Sequence, residues 1–388
     1  MSLSQSNIAK AVRSFSIQAK ELNGAYLERK QEVSLLQVSL ISSQPLVFLG
    51  LPGTGKSAIV NTFAQTLASG KKSSDIIDFY QYLLSKYTTP AEIFGIQSVK
   101  ELRENDRFVI NPAGKLPQAR IAFLDEVFKA NSATLNSLLT ILNEKQFDDG
   151  TGVRKDVPLE MMVGASNEMP EEGEGLEALW DRFVLRQVVV DIERDDSFLS
   201  LLTGQGIGKV SCKVDREDVL CLRVLASQVD VSKVLPAFLD LRQAMATAGI
   251  RVSGRKWCKA IEVVKAVSAL KGRSVASNSD LGVLSAVLWE QPDQIDAIRQ
   301  MLSQFASDDV KVAMQIADAA REAFQGLERQ GDSVTIKALG MTKRILRDLL
   351  AKADALDATE DAVCEAIELI KEFQGGIKRL TLGSIGRS

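Results

Sequence analysis

Residues 48–60, FLGLPGTGKSAIV, leave this chain few folds to choose from. An uninterrupted apolar run, PLVFLG at 45–50, ends on a glycine. Gly53 and Gly55 follow closely before apolar positions return at helical spacing. A run apolar on both faces reads as a strand buried in a parallel sheet, and glycines so close together read as a loop with positive φ angles. The strand must therefore feed a tight turn and then a helix. Gly50-Leu51-Pro52-Gly53-Thr54-Gly55-Lys56-Ser57 fits G-x-x-x-x-G-K-[ST] in that setting. The glycines let backbone N–H groups turn inward around phosphates, Lys56 reaches the β and γ groups, the Ser57 hydroxyl faces a magnesium site, and the helix N-terminus adds its dipole. Gly50, Pro52, Gly53, Thr54, Gly55, Lys56 and Ser57 are the candidate nucleotide-binding residues.

Such a loop needs carboxylates on a neighbouring strand, and IAFLDE at 121–126 ends on two. Asp125 is placed to hold magnesium through water, and Glu126 to orient and deprotonate the attacking water. EMMVGAS at 160–166 brings Asn167 to a third strand end, where an amide can hold that water and sense the γ-phosphate; alone, Asn167 reads as a turn former. A fourth strand is VLRQVVVDI at 184–192. Helical patterns lie between, among them SAIVNTFAQTLASG and SATLNSLLTILNEKQ, the latter with Leu135, Leu138, Leu139 and Leu142 on one face and Asn131 or Ser132 as N-cap. Strands alternating with helices predict an α/β fold with a parallel sheet from about Leu46 to Val190.

Composition narrows the chemistry. With 388 residues the chain predicts two or three packed units, and a net charge of -3 supplies no general pull toward nucleic acid or a membrane surface. No stretch reaches the roughly 18 uninterrupted apolar residues of a membrane span. Histidine is absent, so Ser-His-Asp and Cys-His nucleophile systems are excluded, along with zinc sites that use imidazole. Cys212, Cys221, Cys258 and Cys364 lack metal-ligand spacing and fit a reducing cytoplasm. The first twenty residues are basic, Ser-rich and amphipathic through Ile8, Val12, Phe15 and Ala19, like a transit peptide, but the pattern runs on through Leu22 into acidic positions and predicts a helix packed on the body.

After Asp191 helices dominate. Three long ones are expected beyond Pro292, with apolar faces at Val310, Ala313, Met314, Ala317, Ala320, Phe324 and Leu327, at Ile345, Leu346, Leu349 and Leu350, and at Val363, Ala366, Ile367, Ile370 and Phe373, broken near 328–332 and 354–361. The expected layout is a helical linker (1–30), an αβα nucleotide-binding core (31–195), an α-helical lid (196–305) and a three-helix C-terminal extension (306–388).

The ordered motifs resemble the AAA+ ATPase core, and their details are similar to the MoxR family, nearest its RavA subgroup. The likeness rests on AYLERKQEV, TTPAEIFGIQSVKEL, GKLPQARIAFLDEVFKANSATLNSLLTILNEKQFDDG, GASNEMPEEGEGLEALWDRF and VSGRKWCKAIEVVKAVSALKGR followed by DLGVLSAVLW. ASNE and GRKW are features of the subgroup. The resemblance implies that Asn167 is sensor 1, that Arg182 in LWDRF is an arginine finger for a neighbouring subunit's γ-phosphate, that Arg255 in SGRKW is sensor 2 on the lid, and that Tyr26 and Leu27 line the adenine pocket. It further implies ATP and Mg2+ as ligands and a homo-oligomeric ring, a hexamer. Residues 94–120 are similar to the helix-2 insert and 144–160 to the hairpin before sensor 1, with Asp149-Gly150 and Gly152 as turn residues. The chain departs from the subgroup after about residue 305: Gly331 to Ala338 is too short for the partner-binding β-rich insert of RavA-like chains. No D-x-S-x-S pattern is present, so a von Willebrand A domain would come from a separate protein.

The expected activity is magnesium-dependent ATP hydrolysis in a cytoplasmic ring that remodels or matures a partner protein or metal-cofactor enzyme. A nucleic-acid motor is the rival reading, but Arg154 and Lys155 on the hairpin, without interleaved aromatics, make a weak footprint. A nucleotide-gated scaffold, in which turnover is incidental, is a third. The tail IKRLTLGSIGR reads as solvated.

Overall fold

Five segments pair in parallel register to form the sheet on which the rest is built. The computed structural model describes residues 4–68, 76–170, 176–204, 207–305, 308–328 and 336–356, then 363, 366–367, 369–371 and 373–377. Helices α1 (Gln5–Ala25) and α2 (Lys30–Ser42) precede β1 (Leu46–Leu49), α3 (Lys56–Thr66) and β2 (Ile77–Leu83). Then come α4 (Pro90–Phe94), β3 (Ile96–Gln97), α5 (Val99–Asn105), β4 (Ile110–Asn111), β5 (Ala119–Asp125) and α6 (Ser132–Glu144). A hairpin of β6 (Gln146–Asp148) and β7 (Arg154–Asp156) leads to β8 (Met161–Ser166), α7 (Glu177–Arg182), β9 (Leu185–Val188), α8 (Asp195–Thr203), α9 (Arg216–Gln228), α10 (Leu235–Thr247) and α11 (Gly254–Leu270). The chain continues through α12 (Ile295–Ser303), α13 (Asp308–Glu328) and α14 (Ile336–Ala353).

The sheet order is β2-β5-β8-β1-β9, all pairs parallel. Central strands β1 and β8 are buried at every position, which is why they read as continuous apolar runs. The expected strands at 45–50, 121–126 and 160–166 fall on β1, β5 and β8. Two departures have a physical cause. IDFYQYL forms β2 although no strand was expected there: it is the sheet edge, with only Tyr80 buried, and polar residues interrupt its apolar ones. The expected strand at 184–192 stops at Val188, because the last ladder bond runs from the Val189 N–H to the Leu49 carbonyl (2.6 Å) and β1 ends there.

The N-terminal stretch folds as α1, packed on α2, α3 and α9. Its buried face is Ala11, Phe15, Gln18 and Leu22, with Ile8, Val12 and Ala19 flanking it half-buried. Gln18, wholly buried, donates to the Thr66 hydroxyl (2.6 Å) and accepts from Gln37 (2.9 Å), so its amide is satisfied where an apolar residue would be expected. Asn131 caps α6 by accepting from the Thr134 N–H (3.0 Å).

The segment expected as the helix-2 insert carries α5 between antiparallel strands β3 and β4. It is tied to the β6–β7 hairpin: the Ile110 N–H donates to the Asp149 carbonyl (2.7 Å), and Phe94 stacks on Phe147 with centroids 6.2 Å apart. Asp149, nearly inaccessible, holds the turn through Lys155 (2.5 Å) and the Thr151 hydroxyl (2.6 Å). Gly150 has φ +85°, and a Cβ there would overlap the Phe108 carbonyl oxygen. Gly152, at φ +80°, meets nothing within 4 Å. Gly150→Ala is therefore expected to destabilise by about 1–3 kcal/mol, since backbone strain adds to a backbone clash, and Gly152→Ala by only about 1 kcal/mol. Equal thermal melting losses in the two variants would refute the close approach.

Contacts divide the chain into two units: residues 1–235, 245–276 and 283–298, and residues 236–244, 277–282 and 299–388. In the first, α11 packs on α2 and α9. The second has its core on α13 and α14 with helical residues between 363 and 377: Ile316, Ala320, Leu327, Leu339, Leu346, Ala353, Ile370 and Ile377, with Phe324 stacked on Phe373 at 4.4 Å. Val363 and Ala366 pack with Ala313 and Ala317. The expected apolar faces match this core, except that Ile345 is exposed. Of the breaks expected near 328–332 and 354–361, residues 329–332 and 357–361 lie outside the described residues, as do the tail beyond Ile377 and the side chains of Val310 and Met314.

Candidate functional site

Strand β1 delivers the glycine loop at its C-terminal end. The Gly50 N–H donates to the Ser166 carbonyl (3.1 Å), and a Cβ on Gly50 would overlap the Val189 carbonyl oxygen, so the exit of the strand has room for glycine alone. Gly53 (φ +91°) and Gly55 (φ +84°) adopt left-handed angles, and a Cβ on either would meet nothing within 4 Å. The loop is thus closed behind and open in front. Pro52 is exposed in it, while buried Thr54 ties it down by donating its hydroxyl to the Leu51 carbonyl (3.0 Å).

Lys56 opens α3 and is only 7% exposed. Its ammonium donates to the Gly50 carbonyl (2.5 Å), the Leu51 carbonyl (2.8 Å) and Asn167 Oδ1 (3.2 Å). Burial pulls its pKa down, against the opposing charges of Asp125 and Glu126. Ser57 Oγ donates to Asp125 Oδ2 (3.0 Å) at the end of β5. Glu126 follows at φ +53°, a strained left-handed angle for a residue with a Cβ. Its Oε1 accepts from Asn167 Nδ2 (2.5 Å); its Oε2 lies 3.1 Å from Lys129 Nζ but is buried without a hydrogen bond. Strands β5, β8 and β1 are neighbours, so Asp125, Asn167 and the loop converge at one sheet edge, where open parallel sheets bind ligands.

Among the described residues no cluster of three or more His, Cys, Asp or Glu side chains can hold a metal. Ser57 and Asp125 instead make a two-oxygen set suited to magnesium, which takes its other ligands from phosphates and water. The donors, and the buried Glu126 oxygen that accepts no hydrogen bond, fit such an ion with a nucleotide and a water.

Arg182 and Arg255 come together elsewhere. Asn143 Oδ1 accepts from Arg182 Nε (3.0 Å) and from an Arg255 terminal nitrogen (2.7 Å). Burial and the Arg255 charge lower the Arg182 pKa. The pocket they line, about 180 Å³, includes Pro45 and Val184, the residues just before β1 and β9. It therefore sits at the N-terminal edge of the sheet, a strand length of roughly 13 Å from the glycine loop. Tyr26, expected at the adenine, donates its hydroxyl to the Ala58 carbonyl (2.9 Å) and is 2.5 Å from the Thr62 hydroxyl, both on α3; Leu27 beside it is half-buried.

Two supporting residues escaped the sequence reading. Arg29, buried, donates to the Thr54 carbonyl (3.2 Å) and the Val190 carbonyl (2.9 Å), bracing the loop against the exit of β9. Nothing but its place within AYLERKQEV marked it. Asn143 looked like an ordinary polar residue in the last turn of α6.

A family profile described as the MoxR domain in the MoxR-vWA-beta-propeller ternary systems matches residues 13–221, and an AAA lid domain profile matches residues 233–302. The chain is 34% identical to an uncharacterized protein of Methanocaldococcus jannaschii over 359 residues, 92% of each chain. It is also 34% identical to a second uncharacterized protein of that organism over 331 residues, 85% of this chain and 83% of the relative. The crystal structure of a candidate ATPase from Cytophaga hutchinsonii matches in fold with a TM-score of 0.60 at 16% identity, over 78% of this chain and 97% of that one. No helix among the described residues is long and apolar enough to cross a membrane. With the MoxR profile spanning more than half its length, the chain belongs to the MoxR family of AAA+ ATPases.

Proposed function

We propose that the protein hydrolyses ATP with magnesium at a site shared between neighbouring subunits of a ring, a hexamer by resemblance. The observation that carries this reading is the separation of the two residue sets. Lys56, Ser57, Asp125, Glu126 and Asn167 meet at one sheet edge, while Arg182 and Arg255 meet at the other. Arginines on the far side of their own sheet serve a nucleotide only if another subunit brings it. This extends the expectation for Arg255, which acts beside Arg182 on the neighbour's phosphates.

In this scheme Lys56 holds the β and γ phosphates, Ser57 and Asp125 hold magnesium, and Glu126 takes the proton of the attacking water that Asn167 orients. Magnesium, when bound, neutralises charge on the phosphate oxygens. The family description, with its vWA component, supports a separate von Willebrand A protein as adaptor. Chaperone-like remodelling or maturation of a partner protein or metal-cofactor enzyme is the task that goes with this reading. ASNE and GRKW support the RavA subgroup. The division at 30, 195 and 305 and a cytoplasmic setting belong to the same proposal. The near-neutral charge supports a protein client over nucleic acid.

ATP turnover per subunit, measured over a protein-concentration series, is expected to rise cooperatively in the wild type. It is expected to fall about 10³-fold or more in Arg182→Ala, the scale of an arginine supplied in trans. An assembled Arg182→Ala ring with wild-type turnover would refute the shared site.

A further inference from the structure

The pocket around Asn143 holds more positive charge than two arginines need. Besides Arg182 and Arg255 its wall contains Lys145, Lys256 and Lys259, and its one carboxylate is Asp181. Lys256 is accounted for by its ion pair with Glu290. Lys145 and Lys259 are not: neither side chain has a hydrogen bond or ion pair among the described residues, and both are half-buried. Lys259 lies one turn after Arg255 on α11, on the same face. Lys145 caps the C-terminus of α6 at φ +51°, two residues after Asn143. Burial lowers the Lys145 pKa, and the charges of Arg223 and Lys259 lower it further, with only Glu160 opposing. Four cations facing one concavity, with Asp181 the one carboxylate in its wall and Glu160 opposing at Lys145, repel one another, and a multivalent anion is the ligand that relieves this.

We propose that this pocket binds a polyphosphate chain, and that Lys145 and Lys259 are phosphate-contacting residues beside Arg182 and Arg255. The inference rests on the shared-site reading for the source of that chain, which in the ring is the tail of a nucleotide held by the neighbouring subunit's glycine loop. The pocket's affinity for polyphosphate is a property of a single chain, so the two ideas separate.

The experiment titrates inorganic tripolyphosphate into the Lys56→Ala protein, whose own loop is disabled, and follows binding by calorimetry. Adding Lys145→Gln and Lys259→Gln is expected to weaken binding at least tenfold with the melting temperature retained. The pair Lys86→Gln and Lys100→Gln, which removes the same charge from exposed positions outside the pocket wall, is expected to change nothing. Unchanged binding in the pocket pair, or an equal loss in the control pair, overturns the proposal. In the chain with Lys56 intact, the pocket pair is expected to lower turnover of the assembled ring at least tenfold. If the lysines govern tripolyphosphate binding while turnover ignores both them and Arg182→Ala, the pocket stands and the shared site falls. If turnover needs Arg182 but not the lysines, the shared site stands and their role toward the nucleotide is overturned.

Discussion

Glu126→Gln is expected to lower ATP turnover by about 10²–10⁴-fold, the range of a lost general base, with nucleotide affinity retained. Gln occupies the same volume and keeps an oxygen to accept from Asn167 Nδ2, and the local contact it gives up is the ion pair with half-exposed Lys129, so the left-handed turn after β5 is expected to hold. The variant loses the proton-accepting charge. The residues assigned to the phosphates and magnesium, Lys56, Ser57 and Asp125, are untouched, and the Ser57–Asp125 contact does not pass through Glu126. Phosphate release and equilibrium binding of a fluorescent nucleotide check the two halves of the claim. Turnover within threefold of wild type would remove Glu126 from the base role. The same variant separates a remodeller from a nucleotide-gated scaffold, because a scaffold keeps its cellular function when turnover stops.

The half of the site at the C-terminal strand ends was legible in sequence because each part imposes a local demand. A glycine loop after an apolar run, and a buried strand ending in Asp-Glu, are written in consecutive residues. What the sequence hid depends on distant segments meeting. Asn143 gains meaning only when α7 and α11 bring Arg182 and Arg255 to it. Arg29 acts through backbone carbonyls, which carry no side-chain signature. The β2 edge was missed because Asp78 and Gln81 interrupt its apolar residues and only Tyr80 is buried, so its pattern lacks the continuous apolar run of a core strand. Arg186 sat in a run read simply as a strand, with no sign that its charge is wholly enclosed.

That enclosure sets the largest stability effect: Arg186→Met is expected to destabilise the protein by about 3–5 kcal/mol, as when one partner of a buried ion pair is removed. Arg186 is completely buried. Its guanidinium donates to the carbonyls of Phe183 (2.9 Å), Trp289 (2.5 Å) and Trp180 (2.8 Å) and to Glu290 Oε2 (2.8 Å), and it lies 3.9 Å from the centre of the Trp180 ring. Met fills much of the volume but leaves three carbonyls without this donor and Glu290 with Lys256 as its remaining cationic partner. The pH dependence gives an independent signature. Burial, then the Arg186 charge, push Lys256 from the ordinary 10.5 down to about 8 against the pull of Glu290. Between those values the unfolded chain holds a proton that the folded chain has released, so the Lys256 contribution makes stability rise with pH from about 8 to 10.5. Without Arg186 that rise is expected to shrink, because one of its two causes is gone. Denaturant unfolding of both proteins across this pH window checks the size and the slope together. A loss under about 1 kcal/mol, or an unchanged slope, would show that the network bears little on stability. Because α7 carries both Trp180 and Arg182, and α11 both Arg255 and Lys256, loosening this network is also expected to unseat the two arginines from Asn143. Turnover should then fall under conditions where the variant is still folded.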